Sequence, residues 1–305
     1  MSPTKGDDRS SGSKTAPAVG EHLIEPSASM VTYDSYLKVR DLIELQKPLS
    51  NPEQHDETLF IIIHQVYELW FRQILHEVGH SIAALERNEL LSFLRSLKRV
   101  NTIQQLLVQQ VGILETMTPT DFNQFREQLN PASGFQSWQF RILEFRMGAK
   151  DRGYLKFFRT NPHAQAKLEA ALNEPTLYDW FLRYLSRRGF AIPKAVLERD
   201  VSQLHEPNAA IKQIFFDVYR DVDRNYDLYM TLEAMIDVDE QFTMWRYRHI
   251  AMVERMIGNR MGTGGSSGVN YLSQTLSKRF FPEIWQLRND FGGAYGQLHR
   301  TQPSS

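Results

Sequence analysis

The most informative absence in this 305-residue chain is cysteine, of which there is none. Without thiols there is no disulfide, no iron–sulfur cluster, no cysteine nucleophile and no heme held through sulfur. Any metal must therefore be bound by His, Asp or Glu. A surplus of one charge is absent too, because 35 Lys and Arg balance 36 Asp and Glu to a formal charge of −1. No overall field draws the protein to nucleic acid or to an anionic membrane, and we expect neither as a partner.

Long apolar runs are also missing. No stretch approaches the roughly 20 uninterrupted apolar residues that a membrane span needs. Residues 1–28 are rich in Gly, Ser, Pro and charge, and they lack the apolar segment of a secretory signal. We therefore expect a disordered tail over residues 1–28, a single domain over residues 29–305 and a cytoplasmic location.

Glycine and proline are scarce where helices are expected. Neither occurs between Pro207 and Gly258, and apolar residues recur there at three- and four-residue steps. That spacing requires one long buried helix or a closely joined pair. The same spacing runs from Asp56 to Asn88. The pattern predicts long helices in both stretches.

A helix start can be recognised in Thr118-Pro119-Thr120-Asp121. Thr118 can cap the helix, Pro119 suits the first turn, and Asp121 favours the positive end of the helix dipole. Asn130-Pro131 then predicts the end of this helix. No run of period-two alternation flanked by turn residues stands out, so the sequence predicts an all-α fold.

The densest group of glycines in the body of the chain lies in the segment Gly262-Thr263-Gly264-Gly265-Ser266-Ser267-Gly268. Glycine permits positive φ angles, so this segment can turn several N–H groups and hydroxyls toward one polar ligand. It lacks the lysine and the spacing of a nucleotide-binding P-loop. On spacing alone, a ligand-binding loop and a flexible surface linker are equally good interpretations.

Two of the nine histidines, His64 and His249, fall on apolar helix faces. Phe60 lies one turn from His64, and Trp245 and Val253 lie one turn to either side of His249. A single histidine of this kind is more often a hydrogen-bonded core residue than a ligand. Two of them in a chain that also has a polar glycine-rich segment favour a binding site.

Several arginines could meet an anionic ligand. Arg246 and Arg248 lie near His249 and suit anionic groups such as heme propionates. Arg126 follows Phe122 by four residues and so shares its helix face. Its guanidinium group could bind a carboxylate bidentately while the ring covers an apolar part of the ligand. On local sequence alone, an exposed arginine of an amphipathic helix is the simpler interpretation of Arg126.

The segment His76-Glu77-Val78-Gly79-His80 matches the helical zinc motif HExxH, in which the histidines share one face and the glutamate is a general base. Arg72 and Gln73, one turn earlier, indicate that this face is solvated, which makes a poor metal cleft. The usual third ligand is missing as well. A zinc peptidase therefore stays only a distant alternative.

A series of motifs runs through the chain after residue 28. They are Thr32-Tyr33 with Tyr36-Leu37, His55-Asp56-Glu57, Leu59-Phe60-Ile61-Ile62 with His64-Gln65, Glu68-Leu69-Trp70, Leu114-Glu115-Thr116-Met117-Thr118, Phe125-Arg126, Ser133-Gly134-Phe135-Gln136-Ser137, Trp245-Arg246-Tyr247 with His249, and Gly262 through Gly268. Together they resemble the tryptophan 2,3-dioxygenase family. Several motifs in one order are far more specific than any single motif.

The resemblance implies an all-α helical bundle that encloses a b-type heme and assembles as a homotetramer. It implies that His249 is the axial ligand of the heme iron. It also implies that His64 lies on the distal side, near the indole N–H, as the catalytic residue. Ser133 and Gly134 would lie close to the heme, and Trp245 would belong to the same cofactor site.

The resemblance also implies a pocket for the substrate. Arg126 would bind the substrate carboxylate, and Thr263 would help to hold the ammonium and carboxylate end. Phe60 and Phe122 would form the walls around the indole.

A further implication concerns the first helix. In this family a helix near the amino terminus reaches into the pocket of a neighbouring subunit. Tyr33, Tyr36 and Leu37 would then complete the site of another protomer.

The implied reaction is oxidative cleavage of the indole C2–C3 bond of L-tryptophan by O2, which gives N-formylkynurenine. Two residues depart from the family pattern: Asp34 stands where a glycine is common, and Ile63 stands where a polar residue often precedes the distal histidine. Some relatives in the superfamily insert one oxygen atom. The alternative is therefore a heme monooxygenase of secondary metabolism that converts tryptophan or a derivative to a 2-oxindole or hydroxylated product.

Overall fold

The computed structural model describes residues 30–258, 260, 262 and 269–291. In these residues the chain forms α-helices and short 3-10 helices and no β-strand, which confirms the all-α prediction. The α-helices are α1 (Tyr33–Leu37), α2 (Val39–Ile43), α3 (His55–Glu86), α4 (Leu90–Leu114), α5 (Pro119–Phe125), α6 (Trp138–Met147), α7 (Pro162–Asn173), α8 (Leu177–Arg187), α9 (Lys194–Leu197), α10 (Ala209–Arg220), α11 (Tyr226–Ile257), α12 (Val269–Ser273) and α13 (Pro282–Leu287). The 3-10 helices are Arg126–Leu129, Gly134–Gln136, Arg152–Phe158, Gln274–Ser277 and Arg288–Asp290.

Contacts divide the chain into two units, with the boundary between Gln46 and Lys47. In the first unit, Thr32 caps α1, because its hydroxyl accepts a hydrogen bond from the backbone N–H of Ser35 at 3.1 Å. The tail predicted over residues 1–28 lies outside the described residues.

In the second unit, both long helical stretches form where the apolar spacing predicts them. The first is the single helix α3, and the second divides into the closely joined pair α10 and α11. Helices α3 and α11 have 32 residues each, which is about 48 Å at the usual helical rise. Helix α4 packs against both. No helix in the described ranges is long and apolar enough to cross a membrane.

The apolar faces of α3, α4 and α11 meet in one core, which α6, α8, α10 and α13 complete. Ile74 of α3, Val100 of α4 and Met235 of α11 are fully buried there. A smaller cluster near the carboxyl end of α11 contains Ile63 and Met252. Ile63, one of the two departures from the family pattern, is therefore a buried packing residue.

The start predicted for α5 is confirmed. The Thr118 hydroxyl accepts from the N–H of Asp121 at 3.2 Å, and the Asp121 carboxylate accepts from the N–H of Thr118 at 3.0 Å. Pro119 occupies the first turn, where its missing N–H costs nothing. Beyond α5 the chain continues as a 3-10 helix to Leu129, directly before Asn130.

Glu57 fastens the segment before α3 to the helix. Its buried carboxylate accepts hydrogen bonds from the backbone N–H of Leu49 at 2.7 Å, the N–H of Ser50 at 3.0 Å and the Ser50 hydroxyl. Burial raises the pKa of Glu57, but these hydrogen bonds outweigh that effect and hold the pKa below its ordinary value.

We therefore expect Glu57→Gln to lower the free energy of unfolding by about 1–3 kcal/mol at pH 7. A carboxyl group whose folded-state pKa is depressed contributes stability above its unfolded pKa and loses it as the pH falls through the folded value. The difference in the free energy of unfolding between wild type and variant should thus decrease below about pH 4. Urea unfolding at pH 7 and below about pH 4 measures this difference in free energy. Glu53→Gln, at an exposed position, is the control. A gap that does not change with pH would contradict this role.

Candidate active site

A cavity of about 300 Å³ lies between α3, α5, α6 and α11. Aromatic and aliphatic side chains make up much of its wall, and a few charged groups stand among them. The lining includes His64, Tyr67, Glu68, Phe71, Phe122, Arg126, Ser133, Gly134, Phe135, Phe140, Arg141, Glu144, Tyr154, Trp245, Arg246, His249 and Ile250.

His64 borders this cavity from α3. Its Nδ1 lies 2.7 Å from the carbonyl oxygen of Phe60, and because a carbonyl can only accept, Nδ1 carries the proton. His64 is exposed in the isolated chain, but desolvation by the surrounding protein lowers the pKa of His64 against the opposing effects of the Phe60 hydrogen bond and the Glu68 charge. At neutral pH the ring is therefore neutral, with Nε2 left as a hydrogen-bond acceptor.

His249 borders the cavity from α11. Its ring stacks on Trp245, with centroids 5.1 Å apart and planes within 4° of parallel. Burial, reinforced by the nearby His64 and Arg141, lowers the pKa of His249 to about 4. The rest of the described chain offers this ring no hydrogen bond. A neutral imidazole with available nitrogens is the form of histidine that binds metal ions.

A buried charge cluster faces the same cavity. Glu144 of α6 pairs with Arg141 and with Arg246, whose Nη2 lies 3.2 Å from the glutamate Oε1. Burial raises the pKa of Glu144, but Arg141, Arg246 and Lys278 outweigh it and keep the pKa low. One carboxylate cannot neutralise two guanidinium groups, so positive charge is left over beside the cavity. That surplus suits an anionic ligand.

Arg141, Glu144 and Tyr154 are site residues that the sequence analysis missed. The guanidinium carbon of Arg141 lies 4.1 Å from the centroid of the Tyr154 ring, so the ring helps to hold the arginine in place. The available signal was a pair of opposite charges inside the otherwise apolar stretch Phe140–Phe145. Tyr154, on a 3-10 helix, carried no comparable signal.

The two arginines expected near His249 have different positions. Arg246 lines the cavity, as predicted. Arg248 does not, because its Nη2 pairs with the Glu115 carboxylate at 2.8 Å, at the end of α4. Its expected contact with an anionic group stays a prediction, which this ion pair does not support.

Two of the residues predicted to hold the substrate line the cavity. Phe122 and Arg126 both line it, as their shared helix face requires. Phe60 is not among the lining residues. Its ring packs against His64 and Phe122, with centroid distances of 4.2 and 5.7 Å. Phe60 thus supports the wall from behind.

The segment before α6 forms another part of the wall. Ser133 and Gly134 line the cavity. Ser137, the N-cap of α6, donates its hydroxyl hydrogen to the Glu68 carboxylate, and the Gln139 amide donates to the same carboxylate at 2.9 Å. These bonds join the start of α6 to α3, and so keep this wall next to His64.

The family resemblance also predicts Thr263, Tyr33, Tyr36 and Leu37 as site residues. Thr263 lies outside the described residues, although Gly262 beside it lines the cavity. Tyr33, Tyr36 and Leu37 are exposed residues of the first unit. Their role in the pocket of another protomer stays a prediction.

The HExxH motif has no metal-binding geometry. The Glu77 carboxylate is buried and accepts a hydrogen bond from Arg99 at 2.8 Å. Nδ1 of His80 lies 2.9 Å from the Ser96 hydroxyl, and both His76 and His80 are exposed, as their solvated face predicts. No group of three His, Asp or Glu residues in the described part of the chain could hold a metal ion. Glu77, the general base of a zinc peptidase motif, thus forms a structural ion pair with Arg99.

The fold and the site define a class of protein. It is an all-helical protein whose cavity combines aromatic walls, two neutral histidines and unbalanced arginine charge. Such a cavity suits a large apolar ligand that carries negative groups, and its histidines can bind a metal.

Comparison with known proteins gives the family. The tryptophan 2,3-dioxygenase family model matches residues 19–189 and 198–290, and the chain belongs to this family. The tryptophan 2,3-dioxygenase of Herpetosiphon aurantiacus is 48% identical over 260 residues, which are 85% of this chain and 98% of that protein. That of Caulobacter vibrioides is 44% identical over 261 residues, 86% and 98% of the two chains. That of Bacillus cereus is 44% identical over 258 residues, 85% and 92%. The resemblance of the motifs is thereby confirmed.

Proposed function

We propose that this protein cleaves the indole C2–C3 bond of L-tryptophan with O2 to give N-formylkynurenine, a step of tryptophan catabolism, and that it uses a b-type heme. The observation that carries the proposal is the aromatic cavity with two neutral histidines beside unbalanced arginine charge. The relatives that bear the name tryptophan 2,3-dioxygenase support the same reaction. Heme-loaded protein incubated with L-tryptophan and O2 should form N-formylkynurenine, and no product would contradict the proposal.

The cavity residues fit a b-type heme, which is flat, largely apolar and doubly carboxylated. His249 would bind the iron through its imidazole, and Trp245 and the Ser133–Gly134 segment would contact the macrocycle. Arg141 and Arg246 would meet the carboxylates. The buried Nε of Arg141 has no hydrogen-bond partner among the described residues, which is costly unless a further group completes the site. Ferrous heme with a neutral histidine ligand supplies the activation of dioxygen when it is bound.

The other residues would bind and orient the substrate. Arg126 would hold the carboxylate, and Thr263 would hold the ammonium and carboxylate end. Phe122, backed by Phe60, would cover the indole and exclude water. Nε2 of His64 would accept a hydrogen bond from the indole N–H, because the Nδ1 proton is donated to the Phe60 carbonyl. Fixing both ends of the substrate positions the C2–C3 bond for reaction.

The proposal includes a homotetramer with shared sites. Each chain would have a tail over residues 1–28 and one heme-binding domain over residues 29–305. Large apolar side chains exposed in a single chain support association, since they are unfavourable in water. Those on the first unit and on α3 and α11 include Tyr33, Tyr36, Leu37, Ile62, Leu69, Met230, Met244 and Tyr247.

Shared sites can be tested with mixed subunits. Tyr36→Ala subunits and His249→Ala subunits should each be inactive alone. In a random 1:1 mixture, a site that takes His249 from one subunit and Tyr36 from another is intact in about one case in four. We expect close to that fraction of wild-type activity. Hybrid tetramers that form but recover no activity would contradict a shared site.

A further inference from the structure

We propose that a second cavity, bounded by α3, α6 and α7, binds a small aromatic carboxylate. Its volume is about 290 Å³, and it shares no lining residue with the cavity described above. Arg72 and His76 of α3, Trp138 and Arg146 of α6 and Lys167 of α7 line it. The polar groups thus come from three separate helices and surround one space.

Positive charge exceeds negative charge in this second cavity. Arg72, Arg146 and Lys167 face a single carboxylate, Glu174, among the described lining residues, which leaves a surplus of two positive charges when His76 is neutral. Glu174 pairs with Arg146 across 3.1 Å. The Arg146 side chain is only 29% exposed, so water screens its charge less than it screens an open surface charge. An anion placed between these cations would lower their mutual repulsion.

An aromatic ring and aliphatic side chains complete the wall. The Lys167 ammonium lies 5.0 Å from the centroid of the Trp138 ring, and Leu75 and Ile142 also line the cavity. A flat ring could pack against the indole and the aliphatic groups. Its carboxylate would then meet the cationic groups of Arg72, Arg146 and Lys167, which Glu174 alone does not neutralise. This combination favours an aromatic carboxylate over an inorganic anion.

The probe for the test is 4-fluorobenzoate, titrated into the full-length heme-loaded protein and followed by fluorine NMR. Arg146→Met should weaken its binding about tenfold, and Lys167→Met about threefold. Arg126→Ala, in the other cavity, and Arg95→Met, an exposed arginine of α4, should bind the probe like wild type. Inorganic phosphate should bind more weakly than 4-fluorobenzoate.

Three results would overturn the proposal. The first is no binding to the wild-type protein. The second is wild-type binding by both Arg146→Met and Lys167→Met. The third is phosphate binding as tight as that of 4-fluorobenzoate. Because Lys167 is exposed, its replacement tests the site without loss of a core contact. If the second result is accompanied by loss of probe binding in Arg126→Ala, the probe is assigned to the other cavity, and the proposed reaction is left intact.

Discussion

Replacing His249 with alanine should abolish the Soret absorbance of the purified, heme-reconstituted protein. Its imidazole is the proposed iron ligand, and burial keeps it neutral by lowering its pKa to about 4. Loss of the ligand should weaken heme binding by more than about 100-fold, since changes to the groups that merely support a metal ligand already cost 10- to 100-fold. The pyridine hemochrome assay measures the heme bound per chain in wild type and variant.

The controls for this prediction separate ligation from folding. His80→Ala removes an exposed histidine of the HExxH motif and should leave the heme content unchanged. His249→Gly with added imidazole should recover the Soret band, because the free ligand can fill the space that the side chain left. A His249→Ala protein that retains full heme would rule out His249 as the iron ligand.

Replacing Arg126 with alanine should lower kcat/KM for L-tryptophan by about 100- to 1000-fold, the cost of removing one partner of an enclosed charge pair. Arg126 and Phe122 line the same cavity, so loss of the guanidinium should affect the carboxylate and leave the ring wall in place. Binding of 3-methylindole, which lacks the amino-acid group, should change by less than about threefold. Stopped assays of product and ligand-induced heme spectra measure the two effects.

Arg126→Lys is the matched control. It keeps the positive charge but cannot form two parallel hydrogen bonds with a carboxylate, so its loss should lie between wild type and alanine. Equal losses for L-tryptophan and 3-methylindole in Arg126→Ala would contradict the carboxylate role, and would indicate instead that the cavity has changed shape.

The helix boundaries that the sequence predicts are those with a local cause. The start of α5 follows from Thr118 and Asp121, which cap each other within one turn. The break between α10 and α11 could not be located, because no glycine or proline marks it. There the Asn225 side chain donates to the Asp221 carbonyl, and the Asp221 carboxylate accepts from a nearby backbone N–H. Short polar side chains thus compete with helical hydrogen bonds for the backbone groups. The spacing of apolar residues does not show where this competition ends a helix.

The site residues likewise divide into those that the local sequence predicts and those that depend on how the helices pack. His64 and His249 could be singled out because each lies on an apolar helix face, and the structure brings both to one cavity. The cluster of Arg141, Glu144 and Arg246 could not, because its Arg246–Glu144 pair joins residues 102 positions apart. Such a pair depends on how α6 packs near α11, and no local pattern encodes that packing.

The central claim is that both atoms of O2 enter the product. Its most direct test is mass spectrometry of the product formed from ferrous, heme-loaded protein, L-tryptophan and isotopically labelled dioxygen, with and without added reductant. We predict N-formylkynurenine with two labelled oxygen atoms and no need for sustained reductant. A product with one labelled oxygen, formed only while reductant is supplied, would contradict the dioxygenase and identify a monooxygenase.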